Sequence, residues 1–172
     1  MPGQLLFEYL DRRQAEYTRQ PHSVAYTAPE IAESCHINGH NFAKVVMIKI
    51  DGELAMVVVP AHYHVALDVL QDELAANHIE LASESEFSYR FPRCEIGAMP
   101  PFGHLFGLQT FMVPVFDVSG EIAFNAGTHS ELVRMPLPEY LRLAYVTEVA
   151  AGVIPPSITP PKIQRRRPRI RV

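Results

Sequence analysis

Cysteine is scarce in this chain of 172 residues, and two cysteines, Cys35 and Cys94, do not make a disulfide framework. Neither stands in a Cys-x-x-Cys pair, so the usual thiol redox and zinc-binding patterns are missing. Two free thiols in a reducing, cytoplasmic compartment is the expected reading. No apolar run reaches the eighteen or so residues that a membrane span requires. The opening residues, Met1 to Glu8, have no basic region and bring in an acid early, unlike a signal peptide. There is no phosphate-binding Walker loop, no dinucleotide glycine fingerprint and no internal repeat. Ser119, Ser130 and both cysteines have no neighbouring base in a nucleophile motif.

What is there is the composition of a globular protein, 48% hydrophobic and 20% charged, with a length that suits one domain. The charge is lopsided. The formal net charge is -4, but Lys162, Arg165, Arg166, Arg167, Arg169 and Arg171 all follow the last acid, Glu148. Without those six, nine of the 15 basic residues face 19 acids, which leaves residues 1–148 at -10 and the tail at +6. From Gly152 the chain is rich in proline and arginine, so we expect a domain over 1–150 and an extended basic tail over 151–172. Such a tail suits either a polyanion partner or a solvated end.

Leu5, Leu6, Tyr9 and Leu10 follow helical spacing, which predicts an opening helix that ends near Gln20-Pro21. His22 to Tyr26 reads as a short strand. Thr27-Ala28-Pro29-Glu30 has the form of a capping box, opening a helix that Asn38-Gly39 stops. Lys44 to Ile50 and Glu53 to Val59 flank Asp51-Gly52, a strong hairpin signal. Both strands are apolar on both faces, which places the hairpin in mid-sheet. Val65 to Asn77 reads as a helix, Ile79 to Leu81 as a strand, and Ser83 to Tyr89 as a short helix with a serine cap. Thr110 to Phe116, Glu121 to Asn125 and Leu132 to Met135 are further strands. Pro138 suits the first position of a last helix.

Three features carry candidate chemistry. Lys44 sits in the apolar run Phe42-Ala43-Lys44-Val45-Val46-Met47-Ile48, where an unpaired ammonium is costly to bury. It is either a functional cation or a lysine whose stem packs inward while its ammonium reaches water. The loop Gly97-Ala98-Met99-Pro100-Pro101-Phe102-Gly103 pairs two φ-fixing prolines with flanking glycines. It is suited to holding amides rigidly against a small ligand, or it is a structural turn. Gly127-Thr128-His129 lets the chain turn and present a ring, as a positioning group or a strand-end cap. His36 and His40 have a metal spacing, but Asn38-Gly39 interrupts it. His62 and His64 lack a third ligand, so no metal and no cofactor is expected.

In order along the chain, Ala43-Lys44-Val45-Val46, Val58-Val59-Pro60-Ala61, Gly97 to Gly103 and Phe124-Asn125-Ala126-Gly127-Thr128-His129 resemble the YbaK/ProX family. This is the aminoacyl-tRNA deacylase domain that is also inserted in bacterial prolyl-tRNA synthetases. The resemblance spans about residues 20 to 146. It implies a single α/β domain with a curved mixed β-sheet flanked by helices. It implies hydrolysis of the ester that joins a mischarged small amino acid to transfer RNA, acting in trans, with tRNA specific for proline as one candidate. The family's lysine falls on Lys44, its Gly-x-x-x-Pro loop on Gly97 and Pro101, and its Gly-x-His element on Gly127 and His129. The arginine-containing loop of the cysteine-specific branch is absent.

On this reading water attacks the ester directly, and the expected catalytic residues are Lys44, Gly97, Pro101 and His129. Ala98, Met99, Pro100, Phe102, Gly103 and Gly127 are expected to line the substrate, with Ile31 and Val46 as further walls. The expected partners are mischarged tRNA and a tRNA synthetase, with the tail cations as an RNA handle and no membrane. A non-catalytic binding or regulatory module on the same fold is the alternative.

Overall fold

The computed structural model describes residues 3–25, 28–35, 37, 41–117 and 120–155. The expectations placed on Thr27, His36, Asn38-Gly39, His40, Ser119 and the tail cations lie outside these residues. In chain order the elements are α1 (Gln4–Arg12), β1 (Thr18–Pro21), α2 (Ala28–Ser34), β2 (Ala43–Ile50), β3 (Glu53–Pro60), β4 (His64–Val65), α3 (Leu67–Glu73), β5 (Ile79–Leu81), α4 (Glu84–Phe87), β6 (Gln109–Met112), β7 (Glu121–Thr128), β8 (Glu131–Pro136), α5 (Leu137–Ala144), β9 (Thr147–Glu148) and β10 (Val153–Ile154).

The Asp51-Gly52 turn forms as read. Both residues have positive φ, 50° and 88°, which matches the twist of a two-residue hairpin. It sets β2 antiparallel to β3 with Ile50 opposite Glu53 and Lys44 opposite Val59. This hairpin lies inside a mixed sheet of order β5-β2-β3-β6-β9, with β3, β6 and β9 parallel. A second, antiparallel sheet runs β1-β8-β7. A parallel bridge between Phe42 and Ala123 joins the start of β2 to β7, and the Ala123 amide donates to Asn41 O at 2.9 Å. The result is a mixed α/β fold whose two main sheets meet at the residues just before Lys44.

Alternation along β2 divides the interior. Ala43 and Met47 face the main core with Met99, Phe102, Phe124 and Tyr140. Ile48 faces the opposite way, with Val57, Val59 and Leu70 of α3. Phe42 packs with Ile31 and Ala32 of α2, Ala61, Ala123 and Leu132 at the seam between the sheets. Each fully buried large side chain contributes roughly 2 kcal/mol of transfer free energy.

Several boundaries move. α1 stops at Arg12, because the apolar spacing ends at Leu10 and Gln14 takes a left-handed φ of 51°. Residues expected to continue that helix, Thr18–Pro21, are instead an edge strand on β8, and residues 22–25 form no strand. Pro21 is tolerated there because the outer side of an edge strand needs no amide donor. β6 ends at Met112, short of Phe116, and β7 continues to Thr128. Ser83 does open α4, with its own amide donating to Glu86 at 3.1 Å. Val153–Ile154 returns to pair with β4.

Candidate active site

The site grows from a latch between two loops distant in sequence. The Glu95 amide donates to Gly127 O (2.9 Å), and the Gly127 amide donates to Ala98 O (2.9 Å). The turn Glu95–Ala98 is closed by Ala98 N–H to Glu95 O (3.0 Å). Gly127 takes φ 96° beside a register shift between Asn125 and Thr128, where the β7–β8 pairing is interrupted. That irregularity turns His129 back onto the loop. His129 Nε2–H donates to Ile96 O at 2.9 Å, and its ring lies over Gly97, where an added Cβ would stand 3.3 Å from Cε1. His129 is buried, 6% exposed, so its ring braces the loop.

The rest of the loop is pinned from the core. The Tyr140 hydroxyl, fully buried, donates to Pro101 O at 2.8 Å. The Gly103 amide donates to Thr110 Oγ1 at 3.0 Å, and the Phe102 amide to Pro100 O at 2.8 Å. The prolines have no N–H. The Gly97 amide meets only the soft sulfur of Met99, at 3.2 Å. The Met99 amide makes no hydrogen bond among the described residues. Among the described residues, Gly97 and Met99 are therefore the loop amides with no oxygen acceptor.

Lys44 lies on β2, two residues after the Phe42–Ala123 bridge to β7. By alternation it shares a face with Phe42, which lies in one cluster with Ile31, and with Val46. Its ammonium is half-buried, and burial holds its pKa below the ordinary lysine value. Among the described residues it has no carboxylate partner. Phe102 and Met99 lie in the main core, with Phe102 fully buried against Tyr140 and Phe124 rings at 5.3 and 5.5 Å. The structure therefore gathers Gly97, Ala98, Gly127 and His129 into one junction. Val46 shares the Lys44 face of β2, Ile31 lies in the cluster of Phe42, and Phe102 is buried in the main core.

Sequence reading missed Glu95. Its carboxylate Oε2 accepts the His129 amide at 2.9 Å, and with Val24, Ile96, His129 and Ser130 it lines a cavity of about 450 Å³. The one available signal was its place immediately before the glycine-proline loop. Cys94, next to it, is half-buried, and burial pushes its thiol pKa up, away from a nucleophilic thiolate. Among the described residues no three His, Cys, Asp or Glu side chains converge as a metal site, and no helix is long and apolar enough to cross a membrane.

The model for the aminoacyl-tRNA editing domain matches residues 22–143. A solved structure described as "a putative trans-editing enzyme for prolyl tRNA synthetase" superposes with a TM-score of 0.71 at 19% identity, covering 87% of this chain and 97% of that one. A hypothetical protein of known structure gives 0.73 at 15% identity, covering 85% and 99%. A "putative signal transduction protein" from Marinobacter aquaeolei VT8 gives 0.67 at 14% identity, covering 87% of this chain but 30% of that longer one. At these identities the structures establish the fold. A search of curated protein sequences returned no match.

Proposed function

The chain belongs to the aminoacyl-tRNA editing domain family, and from that premise we propose that it hydrolyses a mischarged aminoacyl-tRNA in trans, by direct water attack on the ester. The single observation that carries this reading is Lys44, a desolvated cation with no carboxylate partner among the described residues. Such an ammonium is stabilised by an anion brought from outside. Two anions arise in this reaction: the tetrahedral oxyanion, and the phosphate of the RNA terminus. The amides of Gly97 and Met99 are the loop groups that would hold the oxyanion. They are held by the His129 brace and the Tyr140–Pro101 bond, so little reorganisation is needed as charge develops.

On this reading no side chain acts as a covalent nucleophile. The ribose 2′-hydroxyl of the substrate is well suited to orient the water, which makes the substrate part of the catalyst. Selection by size follows from the walls beside Lys44, Ile31 and Val46. One methylene is worth about 1–3 kcal/mol in such a pocket, enough to exclude larger cognate residues sterically.

The test is hydrolysis of a panel of mischarged tRNAs: alanyl- and cysteinyl-tRNA specific for proline, and seryl-tRNA. Turnover of at least one is the expected result. Folded protein that turns over none of them supports the second reading, a non-catalytic module. The acidic body and the occurrence of this fold within the longer chain of a "putative signal transduction protein" favour that second reading.

The tail belongs to the same proposal. A body at -10 repels RNA, and the +6 carried by Lys162, Arg165, Arg166, Arg167, Arg169 and Arg171 offsets that locally. Deleting residues 155–172 is expected to weaken tRNA binding and flatten its salt dependence. Six released counterions correspond to a slope change of about 4 to 5 in log K against log salt. Unchanged affinity and slope would remove the tail from RNA binding and leave it free for a synthetase, which co-purification would detect.

A further inference from the structure

The mechanism above uses the loop amides and Lys44 but leaves Glu95 without a part. Its environment is specific. Its carbonyl accepts the Ala98 amide that closes the turn and its amide donates to Gly127 O, so its backbone is fixed in place. One carboxylate oxygen is held by the His129 amide, and among the described residues the other makes no hydrogen bond. No lysine or arginine among the described residues pairs with it, and His129 Nε2, 4.0 Å away, is engaged with Ile96 O. Among the described residues Glu95 is the one acid lining the cavity of about 450 Å³, whose other walls include the exposed Val24 and the partly buried Ile96. A half-exposed, oriented carboxylate beside apolar walls is a receptor for a small cationic group.

We infer that Glu95 binds the α-ammonium group of the aminoacyl ester and makes the site selective for a free amine. This rests on the deacylase reading. The spacing supports it. An α-amino ester carries its ammonium on the carbon next to the carbonyl. Glu95 lies two residues from Gly97, a span of at most about 7 Å. One ligand of that size reaches a carboxylate at 95 and an amide at 97. N-blocked esters, such as acetylated or peptidyl-tRNA, lack the cation and present a bulkier amide in its place. They are rejected.

The experiment compares alanyl-tRNA with N-acetyl-alanyl-tRNA, each rate referred to its own spontaneous hydrolysis, in wild type and Glu95→Gln. Glutamine keeps an oxygen for the His129 amide but loses the charge. In wild type the free amine is expected to be preferred by about ten-fold or more in kcat/KM, the size of one hydrogen bond to a charged group. In Glu95→Gln the preference is expected to fall to near unity, mostly through KM, with Glu95→Asp intermediate. The ratio is internal to each variant, so a general loss from disturbed packing cancels. Wild-type turnover without a preference, or a preference retained in Glu95→Gln, overturns the inference alone. No wild-type turnover of alanyl, cysteinyl or seryl esters takes the deacylase reading down with it.

Discussion

Replacing Lys44 with methionine is expected to abolish ester hydrolysis and leave the protein at least as stable as wild type. Methionine keeps the length of the apolar stem between Phe42 and Val46 and removes an ammonium that burial disfavours. If the cation neutralises the oxyanion or anchors the terminal phosphate, single-turnover rates should drop by about 100-fold or more, the scale of one preorganised electrostatic partner. Thermal melts should show no loss. The sign of the pH dependence adds a second readout. The folded pKa of Lys44 lies below its unfolded value. Between that lowered value and about 10.5 the unfolded chain therefore holds the proton and the folded one does not. Stability from this group rises with pH across that window, and the variant should lose the rise. Activity that survives in Lys44→Met would make the lysine a snorkelling strand residue with no part in the chemistry.

The two glycines that bracket the loop should fail differently when changed to alanine. Gly103 is short of space. Its Cβ would collide with Thr110 Oγ1 and stand 2.9 Å from the Leu108 carbonyl, which is backbone and cannot swing away. Gly103→Ala is expected to cost about 3 kcal/mol, the upper range for overpacking, and to lower Tm by roughly 10 °C or prevent folding. Gly97 has room on one side only, but its φ of 88° disfavours any side chain by about 1–2 kcal/mol, and its Cβ would press on the His129 ring at 3.3 Å. Gly97→Ala should fold and melt only a few degrees lower. Its hydrolysis should fall at least ten-fold, because the brace on the amides of residues 97 and 99 is displaced. Equal melting losses in the two variants would contradict this division into a packing glycine and a positioning glycine. Full activity in Gly97→Ala would remove the loop amides from the mechanism.

Much of this architecture is written in short windows. Asp51-Gly52 demands the hairpin, because few dipeptides tolerate two consecutive positive φ angles. Ser83 with Glu86 closes a helix start within four residues, and Pro138 enters the first turn of α5. The unbroken apolar character of β2 and β3 places them in mid-sheet, and Lys44 stands out because its neighbours are apolar. Four motifs in register suffice for the family. Where local pattern misled, a distant contact had overridden it. Thr18–Pro21 continues no helix because β8 offers it a partner more than a hundred residues away.

The candidate constellation was decided by tertiary contacts. Glu95 meets the His129 amide across 34 residues, and Tyr140 meets Pro101 across 39. Nothing in either window calls for the other. Phe102 lies beside Pro101 in sequence yet belongs to the core, whereas Ile31, far from Lys44 along the chain, packs at its side of the sheet. The sequence by itself determined the strands, turns and caps, because backbone dihedrals and apolar periodicity act over a few residues. Which amides stay unpaired, which carboxylate keeps no cation and which way His129 faces were decided only when two sheets closed on one seam. Those properties depend on what a group's neighbours leave unsatisfied.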